Sequence, residues 1–372
     1  MTNVHSTDAM GGVELHVLQV SRELVRRGHQ VDLLFRSPGS LEAEYRTFCR
    51  TVTRVPEVDY WYPPGRRGRP KQMAMVVPAA VVAACCRPDI VYGNRISSTG
   101  WAIPAAKVAR APLVCHEHGH SDHLSDRRIA FLNRHVDRLI LVSRFVADRW
   151  VASGIDPDKI DVIVNGIDPA EYGFGGTAER AAARRLLGLD DEQFVVVYVG
   201  RLDREKGVHV LLRAWQELGL GPGEARLVVV GSPTVDHDAD RYRAELTAAA
   251  GDGVTFLAGR RDVVTPLHAA DVVVVPSVWQ EPFGRTVIEA LSTGRPVVAS
   301  RVGGIPEIMT GPLERMLFEA EDAAGLAAQL HGLRGWQERE PGLAQQCRNR
   351  VLDRFSLDRM VDGIEATFRS VG

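Results

Sequence analysis

Residues 194–218 read FVVVYVGRLDREKGVHVLLRAWQEL. Phe194–Gly200 is an apolar run closed by a glycine, the pattern of a strand buried on both faces of a parallel sheet. Gly200–Gly207, GRLDREKG, is a glycine-bounded loop, and Val208–Leu218 predicts a helix. The same alternation extends outward in both directions. Strands are predicted at Val31–Phe35, Asp89–Tyr92, Leu139–Ser143, Arg226–Gly231, Val254–Gly259, Asp271–Pro276 and Arg295–Ser300. Helices are predicted at Val13–Arg27, where Val13, Val17, Val20 and Leu24 fall at helical spacing before Gly28, and at Arg241–Ala250. Alternating strand and helix defines an α/β fold with parallel sheets.

The series runs twice. One copy ends near Asp161–Asp168 and the second begins at Phe194, with Pro169–Thr177 as the expected connection. The expected organisation is an N-terminal Rossmann-like domain over 1–170 and a C-terminal one over 171–345. A C-terminal helix over 346–372 is expected to pack back toward the N-terminal domain, because Leu343–Phe368 reads as helical and amphipathic. Doubly wound sheets bind ligands at the carboxyl ends of their strands, and two such domains facing each other would share a cleft there. One segment fits poorly. Met1–Met10 is polar where a first strand is expected, so either that strand is very short or the true start lies upstream.

At 372 residues, with 45% hydrophobic and 25% charged residues, the chain has the profile of an ordinary globular protein of about two domains. A formal net charge of -2 gives no global basic field for nucleic acid or an anionic membrane. The five cysteines form no C-x-x-C pair, so the expectation is free thiols in a reducing compartment. The polar start carries no secretory pattern, and Met73–Cys86, interrupted by Pro78, is too short to span a bilayer; a cytoplasmic location is expected. Tyr60–Lys71, YWYPPGRRGRPK, joins three aromatics to Arg66, Arg67, Arg69 and Lys71. It reads as a surface loop, with weak peripheral membrane contact as the secondary reading.

Four segments carry chemistry. In Trp279–Leu291, WQEPFGRTVIEAL, Pro282 pushes Glu281 toward an extended conformation on the strand-to-helix loop. Phe283, Gly284, Arg285 and Thr286 then open a helix whose amides suit a diphosphate, and Glu289 lies about one turn further in, placed to accept from ribose hydroxyls. In GRLDREKG, Arg201 and Lys206 bring two cations to the end of a strand; only four lysines occur among 45 basic residues. In Ala9–Glu14, AMGGVE, Gly11 and Gly12 permit close backbone approach, without matching G-x-G-x-x-G. In Leu113–His120, LVCHEHGH, His116 and His120 have i,i+4 spacing but straddle Gly119 after a strand, which argues against zinc. A histidine at the strand end, His116, is the expected donor to a polar ligand; His118, His120 and His123 read as loop polarity. Val164–Asp168, VNGID, and Arg295–Glu307, RPVVASRVGGIPE, supply supporting turns at Asn165-Gly166 and Gly303-Gly304.

GGVE, RGHQV, VNGID, VGRLDREKG, EPFGRTVIEAL and PVVASRVGGIPE occur in this order between about Met10 and Phe318. Together they resemble glycosyltransferase family 4, the retaining GT-B transferases (glycosyl transferases group 1), including that family's two glutamates eight positions apart, here Glu281 and Glu289. The resemblance implies a nucleotide-sugar donor held mainly by the C-terminal domain. Arg201 and Lys206 match its diphosphate pair and Glu289 its ribose-binding glutamate. Glu281, with the amides of Phe283–Thr286, matches the part facing the transferred sugar and the diphosphate. His116 resembles the N-domain histidine contacting the donor sugar, and Gly12 the glycine loop near the phosphates and acceptor. Gly259–Arg260 loosely matches the region facing the nucleobase. Acceptor residues are sought at Gly11 and in Tyr92–Thr99, with Asn94 as the candidate.

The implied reaction moves a hexosyl unit from a nucleotide sugar, UDP first and GDP next, to a hydroxyl acceptor (small molecule, lipid-linked sugar or glycan) with retained configuration. Arg201, Lys206 and the helix start near Gly284 offer positive charge in place of a divalent metal. No cofactor or metal is expected, and Asp236 and Asp238 read as solvated. A front-face path and a double displacement through Glu281 stay open. The alternatives are a non-catalytic nucleotide-sugar-binding subunit and a GT-B epimerase. An oxidoreductase is disfavoured by the missing G-x-G-x-x-G.

Overall fold

The computed structural model describes residues 1–8, 12–56, 69–121, 124–233 and 239–372, and the side chains of these except 69–75 and 239. The chain forms two compact units, Met1–Asn165 with Leu357–Gly372, and Gly166–Ser356.

The first unit holds a seven-stranded parallel sheet. Its strands are β1 (Thr2–Ser6), β2 (Asp32–Ser37), β3 (Thr51–Arg54), β4 (Val91–Asn94), β5 (Leu113–Glu117), β6 (Arg138–Leu141) and β7 (Ile160–Val162). Their order is β3-β2-β1-β4-β5-β6-β7. The polar start is therefore a five-residue strand in the middle of the sheet. It tolerates its polar residues because they are paired. The Asn94 amide N–H donates to Asn3 Oδ1 at 2.8 Å, and Asn94 Nδ2 donates to Thr2 Oγ1 at 2.9 Å and to the Asn3 carbonyl at 2.8 Å. Buried polar groups are costly only when unpaired, so an apolar-run criterion misses this strand.

The second unit holds six parallel strands, β8 (Phe194–Val199), β9 (Ala225–Val230), β10 (Val254–Leu257), β11 (Val272–Val275), β12 (Val297–Ser300) and β13 (Leu317–Phe318). Their order is β10-β9-β8-β11-β12-β13. The Val-rich runs are buried on both sides, as expected of sheets covered on both faces by helices. In each sheet the strand order reverses once, between β1 and β4 and between β8 and β11. Crevices that bind ligands open at such points.

The tail differs from the sequence expectation. It is two helices, Leu343–Arg354 and Leu357–Val371, separated at Phe355–Ser356. The first belongs to the second unit, where Leu343, Cys347 and Val351 are buried. Phe355 packs on Phe283 with ring centroids 5.9 Å apart, and its carbonyl accepts from the Ile167 amide at 3.0 Å. The last helix belongs to the first unit, where Met360, Val361 and Ile364 share a core with Val20, Leu24, Tyr92, Val114 and Ile140. The chain crosses between units at Asn165–Gly166 and again at Ser356–Leu357, rather than near residues 170 and 345. The long apolar helix Arg69–Cys86 includes Pro78. Among the described residues, no helix is long and apolar enough to cross a membrane.

Candidate functional site

In the second unit the sequence-selected groups gather at the β8/β11 reversal. After β8, Asp203 caps a short turn: its Oδ1 accepts from the Lys206 amide at 3.1 Å, and Arg201 pairs with its carboxylate at 3.2 Å. Lys206 Nζ donates to Glu281 Oε1 at 2.9 Å and Oε2 at 2.7 Å, and Ser277 Oγ donates to Glu281 Oε2 at 3.2 Å. Lys206 and Glu281 are mostly buried, whereas Arg201 is about half exposed. Two glycines permit this approach. A Cβ on Gly207 (φ +69°) would lie 1.8 Å from the Pro276 carbonyl oxygen, and one on Gly303 (φ +58°) 1.9 Å from that of Glu281. The Gly304 amide donates to the Glu281 carbonyl at 2.8 Å, fixing that backbone.

The helix Arg285–Ser292 follows, preceded by Gly284 at φ +106°. Glu289 is buried on it, and its Oε1 accepts from Arg285 Nε at 2.7 Å and from the Tyr172 hydroxyl at 3.2 Å. Burial and Glu289 push the Tyr172 hydroxyl above its usual range. Tyr172 sits in the stretch read only as a connection, and no motif marks it. Arg285 is thus a partner of Glu289. Thr286 Oγ1 reaches the Val199 carbonyl at 3.5 Å, tying the helix start to β8. The Phe283 ring is buried against Phe355, which leaves its backbone amide, the group expected to serve a donor, at the helix start. Arg260 is exposed in the loop after β10, beside Gly259, whose amide donates to Ser232 Oγ at 3.0 Å.

In the first unit, Gly12 is exposed at the start of the helix Gly12–Arg26, after β1. Gly11, His123, Asp236, Asp238 and residues 60–68 lie outside the described residues, and so do the side chains of Arg69 and Lys71. Asn94 ends β4, where its Nδ2 is committed to β1 and its buried Oδ1 has no hydrogen-bond partner. Next to it, Arg95 has φ +73° and is exposed. His116 also differs from its expected role. It is fully buried, with Nδ1 2.6 Å from the Tyr92 hydroxyl, and burial lowers its pKa to about 3. His118, just beyond the strand end, is half-buried. Between them, buried Glu117 accepts from the amides of Ile96 (2.8 Å), His118 (2.8 Å) and Gly119 (2.9 Å), organising the loops after β4 and β5. Burial pushes the Glu117 carboxyl up, opposed by those amides. In the sequence Glu117 enters only with the histidines as a disfavoured metal ligand, and a buried acid closing an apolar strand is the signal for its loop-organising part.

Two doubly wound parallel sheets, with charged groups gathered at the reversal point of the second, define a GT-B type α/β protein. Residues 10–171 match Glycosyltransferase Family 4 and residues 193–334 match Glycosyl transferases group 1. The D-inositol 3-phosphate glycosyltransferase of Rhodococcus jostii (strain RHA1) is 30% identical, over 98% of this chain and 85% of that protein. That of Mycolicibacterium smegmatis is 27% identical, over 97% and 87%. Among solved structures, Anabaena Alr3699/HepE in complex with UDP-glucose superposes with a TM-score of 0.80 at 23% identity, covering 100% of both chains. A glycosyltransferase from Rickettsia africae ESF-5 gives 0.84 at 18% identity, covering 100% of this chain and 98% of that one. The chain belongs to the family 4 glycosyltransferases and is a glycosyltransferase of GT-B fold.

Proposed function

We propose that this chain transfers a hexosyl unit from a nucleotide sugar, UDP first and GDP next, to a hydroxyl acceptor, with retained anomeric configuration and without a divalent metal. The observation that carries the reading is the convergence at the β8/β11 reversal. Arg201, Lys206, Glu281 and the start of the helix Arg285–Ser292 lie together there, with Glu289 one turn deeper. Departure of a nucleoside diphosphate builds negative charge on its terminal phosphate. Fixed cations and helix amides stabilise such charge without reorganising at the moment of reaction. Lys206 acts as a point charge shared between Glu281 and the leaving phosphate, and Arg201, half exposed, offers a bidentate fork. Glu281 faces the sugar, either stabilising cationic character at its reacting carbon or acting as nucleophile. Glu289, held by Arg285 and Tyr172, accepts from the ribose hydroxyls.

The relatives supply the first pair to try: UDP-glucose, bound in the Anabaena structure, and D-inositol 3-phosphate, named for the R. jostii enzyme. The test is a thermal-shift screen of UDP, GDP, ADP and TDP with their common sugars, with and without EDTA. Proton NMR of the product of the stabilising donor with a panel of hydroxyl acceptors follows. Saturation at one hundred times the dissociation constant stabilises the native state by about 2.7 kcal/mol. A selective shift that survives EDTA and disappears in Arg201→Ala, with an axial-to-axial product, supports the reading. An inverted product, or turnover abolished by EDTA, overturns it.

A further inference from the structure

Tyr172 lies in the segment that enters the second unit after the crossing at Asn165–Gly166, and the helix that carries Glu289 holds it at both ends. At the side-chain end, the hydroxyl donates to Glu289 Oε1 at 3.2 Å. At the backbone end, the carbonyl accepts from Ser292 Oγ at 2.8 Å, about one turn further along that helix. Arg348, on the helix Leu343–Arg354, closes the arrangement from a third element. Its Nη1 donates to the Tyr172 carbonyl, the Ser292 carbonyl and Ser292 Oγ, each at 2.7 Å, and its Nη2 to the Pro169 carbonyl at 2.9 Å. The following residues are fixed as well. His268 Nε2 lies 2.8 Å from the Gly173 carbonyl, and the Gly175 amide donates to the Thr293 carbonyl at 3.0 Å. Tyr172 and Ser292 are both buried.

The consequence falls on the Glu289 carboxylate. Its two donors, Arg285 Nε and the Tyr172 hydroxyl, take the same oxygen, Oε1, and among the described residues nothing donates to Oε2. The last torsion of a glutamate side chain is soft, so a carboxylate held by one donor swings about it. A second donor on the same oxygen from a different direction stops that swing and points the other oxygen one way. Tyr172 supplies that second direction, because its hydroxyl arrives from the connecting segment whereas Arg285 shares the helix with Glu289. Burial, with Glu289 beside it, keeps the phenol protonated, so it stays a donor. We propose that Tyr172 is a positioning residue that sets the preference of the site for a ribonucleoside over a deoxyribonucleoside: it turns Glu289 so that Oε2 meets the 2′- and 3′-hydroxyls, while Ser292 and Arg348 pin its backbone. The proposal rests on the reading of Glu289 as the ribose acceptor.

Calorimetry on the full chain compares UDP with 2′,3′-dideoxyuridine diphosphate, and GDP with its dideoxy counterpart. A hydrogen bond to a charged group is worth about tenfold or more, so the parent should bind the ribose form of one pair tighter by at least about tenfold. Tyr172→Phe should cut that ratio at least about threefold, while the dideoxy form binds within about twofold of its parent affinity. A general loosening of the pocket weakens both forms alike and leaves the ratio in place, so the ratio reads positioning alone. Glu289→Ala, or Glu289→Gln should the alanine variant not fold, separates this proposal from the reading it rests on, with circular dichroism confirming the fold of each variant. A ratio lost in both the Glu289 and the Tyr172 variants supports the proposal. A ratio lost in the Glu289 variant but kept in Tyr172→Phe overturns the proposal and leaves the ribose reading standing. A ratio kept in the Glu289 variant, or a parent that binds both members of each pair equally or not at all, overturns the ribose reading and the proposal together.

Discussion

Replacing Gly303 by alanine tests whether the Glu281 backbone is held where it is by the glycine turn. Gly303 has φ +58°, and an added Cβ would lie 1.9, 2.6 and 2.7 Å from the carbonyl oxygen, nitrogen and carbonyl carbon of Glu281. All three are backbone atoms, so no flexible side chain can yield. Restoring ordinary contact requires Glu281 to retreat by about 1.5 Å from 1.9 Å to about 3.4 Å. The left-handed conformation costs about 1–2 kcal/mol in a non-glycine residue. Overpacking adds about 1–3 kcal/mol. Taking about 3 kcal/mol in all, a unit of this size loses about 6–12 °C in its unfolding midpoint. The same retreat pulls Glu281 from Lys206, and misplacement by about 1 Å costs about a hundredfold in rate. Gly188→Ala is the control: φ is +66° but nothing lies within 4 Å, so it pays the backbone term alone and keeps full turnover. The assays are thermal unfolding and turnover on the donor found by the ligand screen. A Gly303→Ala protein within about 1 °C of the parent and within about twofold in kcat would refute the steric argument.

Lys206→Met should lower kcat by about 10²–10³-fold while nucleoside diphosphate affinity, measured by calorimetry, falls much less, because its charge is needed most as the leaving phosphate develops. His116→Ala should lower the melting point, since it removes the buried Tyr92 contact. Asp271 accepts from Arg184 Nη2 at 2.7 Å, Arg180 Nη2 at 2.9 Å, Gln337 Nε2 at 2.7 Å and the Val195 amide at 2.7 Å, with Arg184 fully buried. Asp271→Asn strands that guanidinium and should cost about 3–5 kcal/mol in urea unfolding. Glu23, hydrogen-bonded by Arg26 and Arg27, has its pKa lowered from 4.5 to about 2. Its contribution is therefore present above pH 4.5 and is lost as pH falls toward 2. The difference between the parent and Glu23→Gln, followed by urea unfolding, should shrink by about 1–2 kcal/mol across that window, the exposure of Arg26 screening the pair.

The α/β class, the doubling, and the members of the charged group in the second unit are legible in the order of the residues. Those features are local: Val-rich strands such as Phe194–Val199 are apolar on both faces, and loops such as Gly200–Gly207 follow directly from them. Arg201, Lys206 and Glu281 stand out because each lies in the loop after a strand, and Glu289 because it falls one turn into the following helix, an arrangement that the family resemblance then assigned. The rest comes from contacts between segments far apart in the chain. β1 is central despite its polarity because Asn94, ninety-one residues away, pairs with Asn3. Phe283 belongs to the core because Phe355 covers it, and Tyr172 enters the Glu289 group from the connecting segment. His116 is withdrawn from the strand end by Tyr92, and His16 reaches it from another element. The break at Phe355–Ser356 sends consecutive helices to different units. Each of these depends on a partner distant in sequence, and a periodicity carries information only about its own neighbours.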